Sequence, residues 1–261
     1  MNPTDAGFER AALITGASRG IGLAIAHMLG EEGHSLTIVG RSADGLASAA
    51  AELRDRGFPT LEVVSDISAG PGDDEVRRVV AAHENEYGRL DVLVNNAGVG
   101  VPTLPITGLE TEALDWMIAT NLRPVPLFYR QAMPMLKAAA AEHGHSHVIN
   151  TSSSSGLEGD PVVSVYSATK FAIVGFTQAM NRELGDSGVK SCALCPALVN
   201  TDMTRNVLGD AVDYDRMIQP TDIANMVRAV INLSPACVVS ELSFLLPGLV
   251  TGVPDGFFDQ Q

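Results

Sequence analysis

The sequence predicts an α/β fold: a doubly wound parallel seven-stranded sheet with helices on both faces. Two patterns carry this. Seven short runs rich in apolar and β-branched residues recur along the chain, and longer segments with apolar residues three and four apart separate them. Fully apolar strands alternating with amphipathic helices call for right-handed crossovers and a parallel sheet covered on both sides. A chain of 261 residues fits one core, so a single domain over 1–261 is expected.

The strands are read at Ala11–Thr15, Ser35–Val39, Leu61–Val64, Val92–Val94, His147–Asn150, Val189–Leu194 and Leu242–Leu246. Ile21, Ile25, Met28 and Leu29 mark one intervening helix, and Phe171, Val174, Met180 and Leu184 mark another. Asp73, Asp74 and Glu75 read as a helix start, where carboxylates favour the helix dipole. Residues 200–217 break the rhythm. They mix Met203, Val207, Leu208, Val212, Tyr214 and Met217 with charges, show no strand pattern, and precede a helix near Pro220. A loop of that length after the sixth strand is expected to be a substrate lid.

Composition narrows the function classes. Seventeen Lys and Arg against 31 Asp and Glu give a formal charge of −14, which repels nucleic acid and anionic membranes. No apolar run approaches the roughly 20 residues that span a bilayer, and Met1–Arg10 lacks a signal-peptide core. A cytoplasmic location is expected. Cys192, Cys195 and Cys237 are too few for a disulfide framework.

Candidate chemistry begins at Thr15-Gly16-Ala17-Ser18-Arg19-Gly20-Ile21-Gly22, which joins the first strand to the first helix. Gly16, Gly20 and Gly22 permit a tight turn, close approach to a pyrophosphate, and packing of helix on strand, as in a Rossmann-type nucleotide fold. The spacing is not that of the general Gly-x-Gly-x-x-Gly fingerprint. At Gly40-Arg41-Ser42, after the second strand, no carboxylate is present to hold adenosine ribose hydroxyls. Arg41 offers a charged fork for a 2′-phosphate, with Arg19 facing it, so NADP(H) is expected over NAD(H). Asp66 and Ile67 after the third strand, and Asn95, Ala97 and Gly98 after the fourth, would rim the adenine side.

Tyr166 and Lys170 lie four apart on a predicted helix and share a face. A nearby ammonium favours a phenolate, which lets Tyr166 exchange protons near neutral pH. A serine after the fifth strand would polarise a substrate oxygen. Chemistry alone leaves the choice open among Ser152, Ser153, Ser154 and Ser155.

In this order the motifs resemble the short-chain dehydrogenase/reductase family in its compact single-domain form, over essentially the whole chain. The resemblance rests on Thr15-Gly16-x-x-x-Gly20-x-Gly22, Asp66, Asn95-Asn96-Ala97-Gly98, Asn121, Ser153, Tyr166-Ser167-Ala168-Thr169-Lys170, and Pro196 with Thr201. It implies Tyr166 as acid/base and Ser153, thirteen residues earlier, as the polarising group. It implies that Lys170 holds the nicotinamide ribose and lowers the Tyr166 pKa, and that Asn121 positions a water in a proton relay. Ser18, Ile21, Ser42 and Pro196 are expected among the cofactor-binding residues, with Val199 and Thr201 at the nicotinamide end. The expected activity is hydride transfer between NADP(H) and a small, apolar carbonyl or secondary alcohol, in a homotetramer or homodimer.

Two departures from the family pattern carry expectations of their own. Pro196-Ala197 replaces the usual Pro-Gly, so a required positive φ would shift that loop. Pro124 and Pro126 are expected to bend a helix interior beside Asn121.

Other readings are weaker. Cys192 and Cys195, three apart on a strand, point to opposite faces and read as core. His143, His145 and His147 alternate but have no ligand cluster around them, so no metal is expected. A catalytically idle NADP(H)-binding redox sensor conflicts with an intact Ser, Tyr and Lys set. A nucleotide-sugar epimerase usually needs a larger C-terminal part than the stretch after Pro196. Pro247–Gln261, rich in Gly, Pro and Phe, is expected either to cross to a neighbouring subunit or to cap the sheet edge.

Overall fold

The computed structural model describes residues 9–70, 72–100, 105–209 and 213–247. Its seven strands are β1 (Arg10–Thr15), β2 (His34–Gly40), β3 (Thr60–Val64), β4 (Val92–Asn95), β5 (Ser146–Thr151), β6 (Val189–Pro196) and β7 (Glu241–Phe244). They form one all-parallel sheet in the order β3-β2-β1-β4-β5-β6-β7. Strand order reverses between β1 and β4, which opens a crevice at their carboxyl ends, where doubly wound sheets take ligands. The last strand starts one residue before, and stops two short of, the expected Leu242–Leu246. It alternates exposed and half-buried residues, as an edge does.

The helices are α1 (Gly20–Glu31), α2 (Ala43–Asp55), α3 (Asp74–Tyr87), α4 (Thr111–Met117), α5 (Pro124–His143), α6 (Ser164–Glu183), α7 (Asp202–Leu208) and α8 (Pro220–Ile231). Their apolar stripes form a core on each sheet face. Ile25, Leu29, Leu46, Leu53 and Val227 pack on one. Val79, Phe128, Leu136 and Ile173 pack on the other. Cys192 belongs to the first cluster and Cys195 to a small separate one with Val174 and Ala193. Burial pushes their thiols up to about 12 and about 11, so both remain inert core residues.

Three local expectations change. Residues 200–217 are not a bare loop, because they hold α7 and a short 3₁₀ turn at Tyr214–Arg216. The Thr201 side chain caps α7 by accepting from the Thr204 amide. Pro124 and Pro126 fall in the first turn of α5, where a missing amide costs nothing. The helical path is instead distorted just upstream by a π turn over Ile118–Leu122, which contains Asn121. Ala197 needs no positive φ, since Val162 is the non-glycine residue with one among the described residues. Met1–Phe8, residues 210–212 including Val212, and residues 248–261 of the C-terminal segment lie outside the described residues.

Candidate active site

A cavity of about 1000 Å³ runs along the carboxyl ends of the strands. Its wall carries Gly16, Ser18, Arg19, Gly20 and Ile21 from the first turn, and Arg41 and Ser42 after β2. Asp66, Ile67, Ala97 and Gly98 follow, then Ser153, Tyr166, Lys170, Pro196, Val199 and Thr201. The sequence placed all of these at the site, and the fold brings them together.

The glycine turn is shaped for close approach. Gly16 has φ +65°, and a Cβ there would sit 2.8 Å from the Ala97 Cα. Gly20, with φ +58°, opens α1, so unpaired amides of its first turn face the cavity. Thr15 Oγ1 accepts from the Asn96 and Ala97 amides, both at 3.0 Å, and locks this turn to the end of β4. Asn96 Nδ2 adds bonds to the Thr15 and Gly16 carbonyls at 3.1 Å.

Three expected residues are not on the wall. Gly22 lies beneath the turn against Gly16 and Asn96, and its role is packing. Asn95 faces the interior, where its amide donates to Asn150 Oδ1 at 2.9 Å. That asparagine in turn bonds Tyr129 and Thr177, so Asn95 belongs to a buried polar network. Asn121 is buried with both side-chain ends taken by Val99. Its Oδ1 accepts from the Val99 amide at 2.7 Å and its Nδ2 donates to the Val99 carbonyl at 2.9 Å. The side chain therefore braces the loop after β4.

Ser153, Tyr166 and Lys170 converge on one stretch of wall. Ser153 Oγ, buried, accepts from the Ser155 amide at 3.2 Å and lies 3.4 Å from the Pro196 carbonyl. Its neighbour Ser152 is spent on the Lys170 carbonyl at 2.8 Å, and Ser155 donates to Asp160. Ser153 is the serine whose hydroxyl acts on Tyr166. Burial raises the Tyr166 pKa above its ordinary 10, the Ser153 hydroxyl works against that rise, and the Asp160 charge adds to it. Lys170 is buried, donates to the Thr151 carbonyl at 2.9 Å, and sits 5.5 Å from the Tyr166 ring centroid. Burial brings its own pKa down to about 8. Desolvation is the largest cause of the Tyr166 shift, and the Lys170 ammonium lies over the ring.

After β2, Arg41 is exposed and its guanidinium lies over the Trp116 ring, 6.0 Å from the centroid. Arg19 does not face it as half of a clamp, because Asp202 Oδ2 holds it at 3.0 Å. Asp66 accepts from its own turn, Ser68 N at 3.1 Å and Oγ at 2.6 Å. Of the apolar residues expected in a lid, Leu208 lines the cavity, together with Met203 from the start of the same helix. Met217 is buried elsewhere, Tyr214 packs under Arg205, and the Val207 side chain is not described. Sequence reasoning missed Asp160 and Asp202, which line the cavity, and Trp116, which touches Arg41. Among the described residues, no group of three or more His, Cys, Asp or Glu is placed to hold a metal, and no helix is long and apolar enough to cross a membrane.

A doubly wound sheet with a glycine turn, a serine, a tyrosine and a lysine on one crevice defines the nucleotide-binding oxidoreductases of this architecture. The family model for short chain dehydrogenases matches residues 10–211. The 3-oxoacyl-[acyl-carrier-protein] reductase FabG of Staphylococcus epidermidis is 32% identical, the match covering 84% of this chain and 90% of that one. A variant of actinorhodin polyketide ketoreductase solved with NADPH is 33% identical at TM-score 0.80, over 92% of this chain and 97% of that one. An alcohol dehydrogenase from Thermococcus sibiricus, solved with 5-hydroxy-NADP, is 29% identical at TM-score 0.80, over 90% and 95%. The chain belongs to the short-chain dehydrogenase/reductase family of oxidoreductases.

Proposed function

We propose that the protein is an NADP(H)-dependent reductase or dehydrogenase acting on a carbonyl or secondary alcohol of a small, largely apolar substrate. The observation that carries this is the convergence of Ser153, Tyr166 and Lys170 on the wall that also holds the glycine turn and Arg41. The wall fits a dinucleotide: Gly16, with a positive φ and no room for a Cβ against Ala97, keeps the turn tight, and Gly20 opens α1 with its free first-turn amides as a place for a pyrophosphate. Arg41 has no ion pair among the described residues and is free for a 2′-phosphate. Bound there, the nicotinamide supplies or accepts hydride.

The chain's own residues supply the rest. The Ser153 hydroxyl donates to the substrate oxygen as charge grows on it, while Tyr166 passes it a proton. A phenol held above 10 is protonated at neutral pH, which suits it to donate in the reducing direction. Lys170, anchored on Thr151, would hold the cofactor's ribose by hydrogen bonding, and its ammonium lies over the Tyr166 ring. Asn121 keeps the Val99 backbone, and with it that stretch of the cavity wall, in place. Leu157, Val163, Met203, Leu208 and Leu245 give the substrate end an apolar lining, with α7 as the lid. The family resemblance supports a homo-oligomer, tetrameric or dimeric, which light scattering will read.

The test is calorimetric titration with NADPH and NADH, followed by turnover against a panel of ketones. NADPH is expected to bind at least about tenfold tighter, a difference of about 1.4 kcal/mol. Tyr166→Phe is expected to lower kcat by about two to four decades with cofactor binding retained. Binding without turnover on any ketone would favour the redox-sensor reading, and failure of both cofactors to bind would overturn the proposal.

A further inference from the structure

The preference for NADP(H) was read from two arginines, and the structure separates them. Arg19 is ion-paired with Asp202, an α7 residue, so its charge is already met. Arg41 has no ion pair or hydrogen bond among the described residues, and its one specific contact is the face of Trp116. Trp116 lies 75 positions further along, on α4. Its neighbour Met117 is fully buried, and the π turn that follows is held by buried Asn121, bonded to the Val99 backbone, so the indole is carried on a fixed support.

A guanidinium is planar, and its N–H donors lie in that plane. Resting on an aromatic face therefore leaves the whole fork free for a second partner while limiting the rotamers of a long side chain. We propose that Trp116 is a positioning residue for cofactor discrimination: it holds the Arg41 guanidinium over its ring in readiness for the 2′-phosphate of NADP(H). This rests on the NADP(H) reading above and adds to it a residue that need not touch the cofactor.

The test uses the full chain, with NADPH, NADH, 2′-AMP and 5′-AMP as probes, and Trp116→Leu, Trp116→Tyr, Arg41→Ala and the Trp116→Leu/Arg41→Ala double variant. From the strength of an exposed cation–π contact, Trp116→Leu is expected to weaken NADPH and 2′-AMP about two- to fivefold. NADH and 5′-AMP should be unaffected, and Trp116→Tyr should restore most of the loss. In the double variant the loss should be no greater than in Arg41→Ala alone, since the indole acts through that arginine. Trp116 is the only tryptophan, so 2′-AMP should also perturb its emission in the native chain and not in Arg41→Ala, a readout that needs no stable Trp116 variant.

Equal weakening of NADPH and NADH would show a merely structural role and overturn the proposal. So would additive losses in the double variant, or emission indifferent to 2′-AMP. If Arg41→Ala leaves the NADPH:NADH ratio unchanged, the NADP(H) reading falls as well. If Arg41→Ala erases the ratio but Trp116→Leu does not alter it, only the Trp116 proposal falls.

Discussion

Replacing Gly22 with alanine separates helix propensity from packing in a single methyl group. Gly22 is the third residue of α1 and has no positive φ, so alanine would by propensity alone stabilise the helix by about 1 kcal/mol. The added Cβ, however, would lie against the Gly16 carbonyl oxygen, a backbone atom, and 2.5 Å from Asn96 Nδ2, a side-chain end held by two hydrogen bonds. Overpacking of this kind costs about 1–3 kcal/mol. Displacing Asn96 from the Thr15 and Gly16 carbonyls removes hydrogen bonds worth about 1 kcal/mol each. The net expectation is a loss of about 2–4 kcal/mol in urea unfolding, with weaker NADPH binding because the Gly16 turn is displaced. Gly175→Ala is the control. That glycine lies within α6 with nothing inside 4 Å of a built Cβ, so the same exchange should stabilise by about 0.5–1 kcal/mol. If Gly22→Ala proves as stable as the native chain, the packing account of the glycine turn is refuted.

Acid should unfold the protein through its buried histidines. Desolvation lowers His34 and His83 to about 4 and His147 to about 3, so above the unfolded value near 6.5 all three are neutral in both states and stability is full. As pH falls below 6.5 the unfolded chain takes up protons that the folded chain refuses, and stability drops by about 1.4 kcal/mol per unit per histidine until the folded values near 4 and 3 are reached. Urea midpoints that stay flat between pH 6.5 and 4.5 would contradict this. Asp202→Asn frees Arg19 from an exposed pair worth at most about 1 kcal/mol, so stability should hold while NADPH affinity rises at low salt, and an unchanged Kd would count against competition between Asp202 and the cofactor for that arginine. Val162 carries φ 57°, a region that disfavours β-branched residues by about 1–2 kcal/mol. Val162→Asn should therefore raise Tm, and a lower Tm would place the strain elsewhere.

The sheet was legible because parallel strands buried on both faces leave continuous apolar runs, and the central strands were bounded within a residue or two. The edge strand β7 was the least well bounded, since Ser243 and the exposed Glu241 dilute its pattern. The helix at Asp202–Leu208 was missed because seven residues carry too little periodicity. Its signal was Thr201, whose hydroxyl caps it. Proline position was misjudged at Pro124 for the converse reason: a proline inside an apolar stretch also marks a first helical turn. At the site, motif order brought the correct elements to the cavity but could not say which way adjacent side chains point. Asn95 and Asn96 look equivalent in a string, yet one joins the Asn150 network and the other braces Gly16. Trp116 left no trace because its contact with Arg41 joins segments that only the fold brings together.

The strand order also governs how the chain folds as it is made. The first three strands can pair as they emerge, but the free side of β1 waits for β4, with Ala12 meeting Val92 eighty positions later. At about 5–20 residues per second, ribosomal synthesis of that interval takes roughly 4–16 seconds. For that time the middle of the finished sheet is the edge of the nascent one, an apolar ladder of unsatisfied backbone groups open to neighbouring chains. The residues least accessible in the mature protein, Leu13 and Ile14 among them, are thus the ones most exposed to misassembly at birth, and yield on expression should fall with slowed translation of residues 41–91 more than with slowing after β4.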